Sequence, residues 1–206
     1  CSYQIIISML NEMNITGIFP VPIATTEIDL PDIEKVNWVQ GDNFLQSEDD
    51  LHKQDFMEST VKDILEHANN FGQLIGWRKE DYWITQMWAN KYAPSTETKS
   101  GGSIHAHYHS NSLLSGVLYF DDNSPTRFFQ HDKTRYLIKT SVVESNPFTN
   151  EIFTVQAKAG RLVLFPSYLV HDSEPSEQER ITMSFNIMPK SLGIKMDYNF
   201  LDLSNN

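Results

Sequence analysis

The sequence predicts a mainly β domain of the α+β kind, a β-sandwich or jelly roll with a supporting helix near its N-terminus. Three observations predict it. From Tyr82 onward, short runs of β-branched and aromatic residues alternate with polar turn clusters. Ahead of them, residues 47–75 carry apolar residues at helical spacing. The length of 206 residues suits one domain with a substantial core.

Residues 14–45 hold Pro20, Pro22 and Pro31 between short apolar pieces, which reads as an extended or edge-strand lead-in. Ser47 followed by Glu48, Asp49 and Asp50 suits a helix N-terminus. Leu51, Val61, Ile64, Leu65 and Ala68 then recur at helical spacing, and Gly72 and Gly76 mark the end. Strands are predicted at Tyr82–Tyr92, Ser103–Tyr108, Leu113–Phe120, Thr126–His131, Arg135–Ser141, Ile152–Ala157, Arg161–Phe165 and Arg180–Met188. Turn residues separate them at 94–102, 121–125, 146–147 and 159–160. Residues 1–13 read as an extension outside the fold, with Met13 as a candidate natural start and 14–206 as one domain. The apolar stretch 5–10 is too short to span a bilayer and lacks signal-peptide flanks. A soluble, cytoplasmic protein with no membrane partner is expected.

Composition excludes several functions. Sixteen Lys and Arg against 27 Asp and Glu leave a formal charge of −11, which argues against general nucleic-acid binding. A single Cys excludes an intrachain disulfide framework and a Cys-rich zinc or iron–sulfur cage. A metal would have to rest on imidazole and carboxylate.

The seven histidines are unevenly placed. His105, His107 and His109 alternate along one predicted strand, and a period of 2 puts them on one face. Two neighbours on such a face can reach one ion, either 105 with 107 or 107 with 109. His171 follows the run Gly160–Ser167, where a strand can restart. Arg180 then heads a row with Thr182 and Ser184, opposite Ile181, Met183 and Phe185. A charge on an inward row needs an anion, and Arg clamps a carboxylate with two parallel hydrogen bonds. A structural pairing of Arg180 with Glu177 or Glu179 is the competing reading. Two ligands on one strand, a third far along the chain and an anion-binding Arg form the layout of a non-haem iron site with open positions. Those positions would take a 2-oxo acid and dioxygen.

The ordered set 107–120, 160–167 with His171, and 179–186 resembles the 2-oxoglutarate/Fe(II)-dependent oxygenase superfamily. It is most similar to members from marine bacteria and phages, and the likeness runs over roughly residues 17–190, including the lead-in 18–23. The segment Asn90–Pro94 with Ile104 and His107 is also similar to the nucleic-acid demethylase branch, where an Asn-x-Tyr strand precedes the metal motif. That likeness implies metal ligands at His107, His109 and His171, which are then the catalytic centre, with His105 a neighbour. It implies co-substrate contacts from Arg180 and Thr182, with Tyr119, Tyr92 and Asn90 adding hydrogen bonds. It further implies a double-stranded β-helix of two four-stranded antiparallel sheets, Fe(II) and 2-oxoglutarate as cofactors, supportive ascorbate, and hydroxylation of a substrate the sequence does not name. A phage origin would place it in the host cytoplasm. Most of the superfamily has His-x-Asp or His-x-Glu, whereas this chain has His-x-His. The neutral imidazole raises the charge of the metal site by one and softens the ligand set toward zinc or nickel.

Two further functions fit the same residues: a cupin-like metal-binding module, and a phage or host-interaction protein without oxygenase activity. Arg180 separates the first from an oxygenase. Oligomeric state is open, with a homodimer as one candidate. Trp83, Trp88, Tyr108, Phe128 and Phe129 are candidates for either pocket or core. Lys133, Arg135 and Lys139 form a small basic cluster that could meet an acidic substrate but better suits a solvated strand edge. His52, His67 and His131 read as surface or helix residues.

Overall fold

The computed structural model describes residues 20–40, 44–77, 79, 81–95, 103–123, 125–130, 141, 143–144, 146–192 and 201–202. The chain enters through β1 (Ala24–Glu27), β2 (Val39–Gln40) and β3 (Phe44–Gln46), then forms α1 (Glu58–Leu74). The strands β4 (Tyr82–Tyr92), β5 (Ile104–His107), β6 (Leu114–Tyr119) and β7 (Thr126–Phe129) follow. Next come β8 (Ile152–Val155), β9 (Arg161–Pro166), β10 (His171–Ser173) and β11 (Arg180–Pro189). A short pair, β12 (Ser191–Leu192) and β13 (Leu201–Asp202), ends the described chain.

The strands build two antiparallel sheets, in the order β1-β9-β6-β11-β4-β3-β2 and β5-β10-β7-β8. This is the jelly-roll arrangement that the sequence predicts. The larger sheet exceeds the expected four strands because the Pro-punctuated lead-in supplies both of its edges, β1 at one and β2 with β3 at the other. Pro is tolerated at edges, where a missing N–H breaks no ladder.

Strand alternation divides the larger sheet into two faces. On one, Met87, Ala89, Leu114, Leu118, Leu162, Leu164, Met183, Phe185 and Ile187 are buried with Ile64, Ala68 and Phe71 of α1. Thr60, Ile64, Ala68 and Phe71 form the stripe that a helix lays on a sheet. On the other, Val117, Tyr119, Val163 and Phe165 pack with Phe128 and Val155 of the smaller sheet. The helix therefore closes the back of the barrel and leaves the space between the sheets for the polar row of β11.

The helix starts later than Ser47. That hydroxyl accepts from the Ala89 N–H at 2.9 Å, and the Ser47 N–H donates to the Ala89 carbonyl at 2.9 Å. Its capping group is thus spent on β4, and two 3-10 turns, Leu51–Lys53 and Asp55–Met57, lead into α1. The end falls where the glycines predict. Gly76 takes φ +91°, the left-handed conformation that stops helices. Among the described residues, no helix is long and apolar enough to cross a membrane. Residues 1–13 and the basic cluster lie outside the described residues, as do 135–140 of the strand predicted at 135–141.

Gly116 holds the sheet under α1 together. Phe185 stands opposite it in the ladder, and its ring covers the glycine. A Cβ at 116 would lie 2.2 Å from Phe185 Cζ and 2.6 Å from the Val163 carbonyl oxygen. Backbone on one side cannot yield, so Gly116→Ala is expected to destabilise the fold by about 1–3 kcal/mol, as overpacking does. Urea unfolding of the variant checks this; an unshifted midpoint would contradict it.

Candidate functional site

Between the sheets lies a cavity of about 210 Å³. β4 presents Trp88, Asn90 and Tyr92 to it, and β11 presents Arg180, Thr182 and Ser184, the odd-even split that alternation predicts. His107, His109 and His171 also border it.

The three histidines converge. One ligand nitrogen from each lies within 4.8 Å of the others, the sole such group among the described residues. Ring centroids are 4.4 Å apart for His107 and His171, 5.1 Å for His107 and His109, and 5.3 Å for His109 and His171. Two backbone carbonyls orient the set. His107 Nδ1 is 2.8 Å from the His105 carbonyl oxygen, and His171 Nδ1 is 2.8 Å from that of Leu169. A carbonyl only accepts, so each Nδ1 carries the proton and each Nε2 keeps a free lone pair. Such outer hydrogen bonds are the usual means of fixing a ligand imidazole. Phe165 meets the His171 ring edge-on at 4.7 Å and adds packing.

His109 lies beyond the end of β5, and its N–H donates to the Ser167 carbonyl at 2.9 Å. Ser167 is itself held by a buried chain. Its hydroxyl lies 2.8 Å from that of Ser115, which donates to Asn186 Oδ1 at 2.8 Å. Asn186 donates to Gln86 at 3.2 Å, and Gln86 donates to Asp49 at 3.1 Å.

The expectation that His105, His107 and His109 share one face is corrected. Between the pairs His171↔His107 and Ser173↔Ile104 the ladder skips a residue. This bulge breaks the period of 2. Ile104 and His107 border the cavity, while His105 is exposed and outside the cluster.

Burial lowers the pKa of both His109 and His171 to about 4, and the nearness of His107 adds to the lowering. In the metal-free chain these rings are neutral, which is the ligand form. Their folded pKa lies below the unfolded value of about 6.5, so the unfolded chain holds more protons between these limits. Stability of the metal-free protein is therefore expected to fall as pH drops from 7 toward 4. Urea midpoints at pH 7 and pH 5 check this. A slope that is unaltered in His171→Asn would contradict it.

At the other end of the cavity Arg180 is 1% exposed. Its Nη2 donates to Ser173 Oγ at 2.9 Å, and its guanidinium sits 4.1 Å over the Tyr92 ring. Burial lowers its pKa from the usual range, and raises that of Tyr92 to about 12. Glu179, one of the two carboxylates in the competing reading, bonds Lys91 at 2.9 Å. Tyr119, whose pKa burial raises, bonds the Thr126 hydroxyl beside it. Asn90 is 3% and Thr182 5% exposed, and both open onto the cavity.

All eight predicted site residues thus border one cavity. Ser173 and Thr126 join them unpredicted; the period from His171 would have marked Ser173. Of the five candidate aromatics, Trp88 borders the cavity, with its ring 6.1 Å from His109. Phe128 is in the core, Phe129 lies 5.7 Å from the Arg127 guanidinium, Trp83 is half-buried elsewhere and Tyr108 is 61% exposed. His52 and His67 sit in the helical layer, and His131 lies outside the described residues.

The cavity between the sheets thus brings three converging imidazoles and a buried guanidinium to one site. Residues 86–186 match the family described as "Putative 2OG-Fe(II) oxygenase". This stretch, just under half of the chain, carries the three histidines and Arg180, and the description of that family names 2-oxoglutarate and Fe(II). No curated protein sequence matches the chain. Solved structures share the fold at low identity. The non-haem α-ketoglutarate-dependent epimerase SnoN from nogalamycin biosynthesis is 14% identical with a TM-score of 0.53, over 75% of this chain and 68% of that one. The carbocyclase SnoK from the same biosynthesis is 13% identical with a TM-score of 0.53, over 77% and 70%. A 2OG-Fe(II) oxygenase family oxidoreductase from Burkholderia pseudomallei is 12% identical with a TM-score of 0.51, over 75% and 72%.

Proposed function

We propose that His107, His109 and His171 hold Fe(II), that Arg180 holds the far carboxylate of 2-oxoglutarate, and that the protein hydroxylates a substrate. The observation that carries this reading is the pair of imidazoles whose Nδ1 atoms are tied to carbonyls, leaving their Nε2 atoms for one ion beside a cavity that ends on a buried guanidinium. Three imidazoles suit a divalent ion and leave coordination positions open. Iron bound there would supply dioxygen activation coupled to decarboxylation of the 2-oxo acid.

The chain's own groups do the rest. Arg180 pairs the carboxylate with a planar donor fork in a buried site, where a charge-assisted bond is strong. Thr182, Asn90, Tyr92 and Tyr119 offer hydrogen bonds along the co-substrate. Val117 and Phe165 keep the site apolar around it, and Trp88 forms a wall on the side of His109. Ascorbate would support turnover by keeping the iron reduced.

Calorimetric titration of 2-oxoglutarate into the protein, with and without Fe(II) under nitrogen, tests the reading. Binding is expected with the metal, and succinate should form on admission of air. Metal uptake without 2-oxoglutarate binding would overturn it in favour of a metal-binding module.

A further inference from the structure

We infer that Arg127 is a positioning residue that couples the two ends of this site. It clamps the outer side of the strand whose inner side carries both His171 and Ser173. The inference rests on the metal and co-substrate reading above, and names a residue that touches neither ligand.

The strand β10 is three residues long. Against β7 its register is regular, with His171↔Phe128, Asp172↔Arg127 and Ser173↔Thr126. Against β5 it is broken by the bulge that sets His107 in place. One flank of β10 therefore lacks a continuous ladder where the ligand sits. Alternation points the His171 and Ser173 side chains one way and those of Asp172 and of Arg127, which lies between buried Thr126 and Phe128, the other way; Asp172 also borders the cavity.

Arg127 grips that opposite side. Its Nε donates to Asp172 Oδ1 at 2.8 Å and its Nη2 to Oδ2 at 2.6 Å. Its Nη1 donates to Glu174, the next residue on the same side. The Asp172 hydrogen bond is the main cause that raises the Arg127 pKa. Exposed ion pairs usually contribute little, but a bidentate pair in a network is the recognised exception. The Asp172 side chain is also only 12% exposed. A guanidinium fork fixes both position and orientation of the carboxylate, which an ammonium does not.

The consequence reaches both ligands. His171 contributes to the imidazole cluster, and two residues on Ser173 Oγ receives the Arg180 Nη2 hydrogen bond. A shift of β10 moves the metal ligand and the support of the anion clamp together. Arg127 thus makes metal geometry and co-substrate geometry depend on one side chain.

The test uses the full chain with Arg127→Met and Arg127→Lys. In metal-free protein, imidazole and guanidinium NMR signals of His171 and Arg180 are expected to shift in Arg127→Met, with those of His52 and His67 unchanged. Cobalt(II) titration is expected to show affinity about 10- to 100-fold weaker, as for lost outer support of a ligand. Binding of 2-oxoglutarate to the cobalt-saturated variant is expected to weaken as well. Arg127→Lys should recover less than half of either loss on a logarithmic scale. Unshifted His171 and Arg180 signals, or wild-type affinities in Arg127→Met, would overturn the inference. Should that variant not fold, Asp172→Asn takes its place, with the same shifts expected and the same null result overturning it. If wild-type protein binds no cobalt while the NMR shifts appear, the metal reading fails and the mechanical coupling stands.

Discussion

Replacing His171 by alanine is expected to remove metal binding while leaving the barrel folded. Its ring is the most buried of the three, at 6% exposure, and it is the proposed ligand that comes from a separate part of the chain. His107 and His109 would remain as two imidazoles of one segment. Loss of an outer hydrogen bond to a ligand already costs about 10- to 100-fold in metal affinity, so loss of the ligand should exceed about 100-fold. The fold should survive, because the strand pairs through its backbone and Phe128 and Phe165 remain in the core. Metal content after reconstitution, with circular dichroism as the control, checks this. A stoichiometric ion in a folded His171→Ala protein would contradict the ligand assignment.

Arg180→Ala is expected to separate co-substrate binding from metal binding. The guanidinium is almost fully buried, so a carboxylate left facing the cavity without it loses its cation in a buried site. Truncating one partner of a buried, hydrogen-bonded charge pair costs about 2–5 kcal/mol. That is roughly a 30-fold to several-thousand-fold rise in the 2-oxoglutarate dissociation constant. Metal loading should be unchanged, since Arg180 is not among the clustered ligand groups. Arg180→Lys should fall between, because an ammonium keeps the charge but not the fork. Equal 2-oxoglutarate affinity in wild type and Arg180→Ala would remove the proposed clamp.

Much of this site is legible in the sequence. The alternation around Arg180 separated the polar row from Met183 and Phe185, and the two sets do face the cavity and the helix. That worked because β11 is long and paired on both sides from Thr182 to Asn186, so its period holds. Alternation failed at His105, where a bulge in a four-residue strand shifts the phase, and no residue type announces that. The helix starts later than Ser47 suggests, because the partner of that cap-like hydroxyl, Ala89, is 42 positions away. Long-range partners of this kind also hid the Arg127–Asp172 clamp, which joins residues 45 apart. Local pattern reads the faces of regular elements; it does not read which elements become neighbours.

The His-x-His pair sharpens what the metal must do. Three imidazole ligands would leave the full charge of a divalent ion uncompensated, which would favour an anionic chelator more than a His-x-Asp site does. The depressed pKa of His109 and His171 is consistent with a centre kept free of protons and ready for an ion.

An anaerobic optical titration tests the central claim most directly. Fe(II) is added to the protein, then 2-oxoglutarate, and the visible spectrum is followed. A weak charge-transfer band is expected to grow to saturation at one equivalent, and to be absent in His171→Ala. A wild-type protein that takes up Fe(II) but shows no band with 2-oxoglutarate would contradict chelation of the oxo acid at this centre.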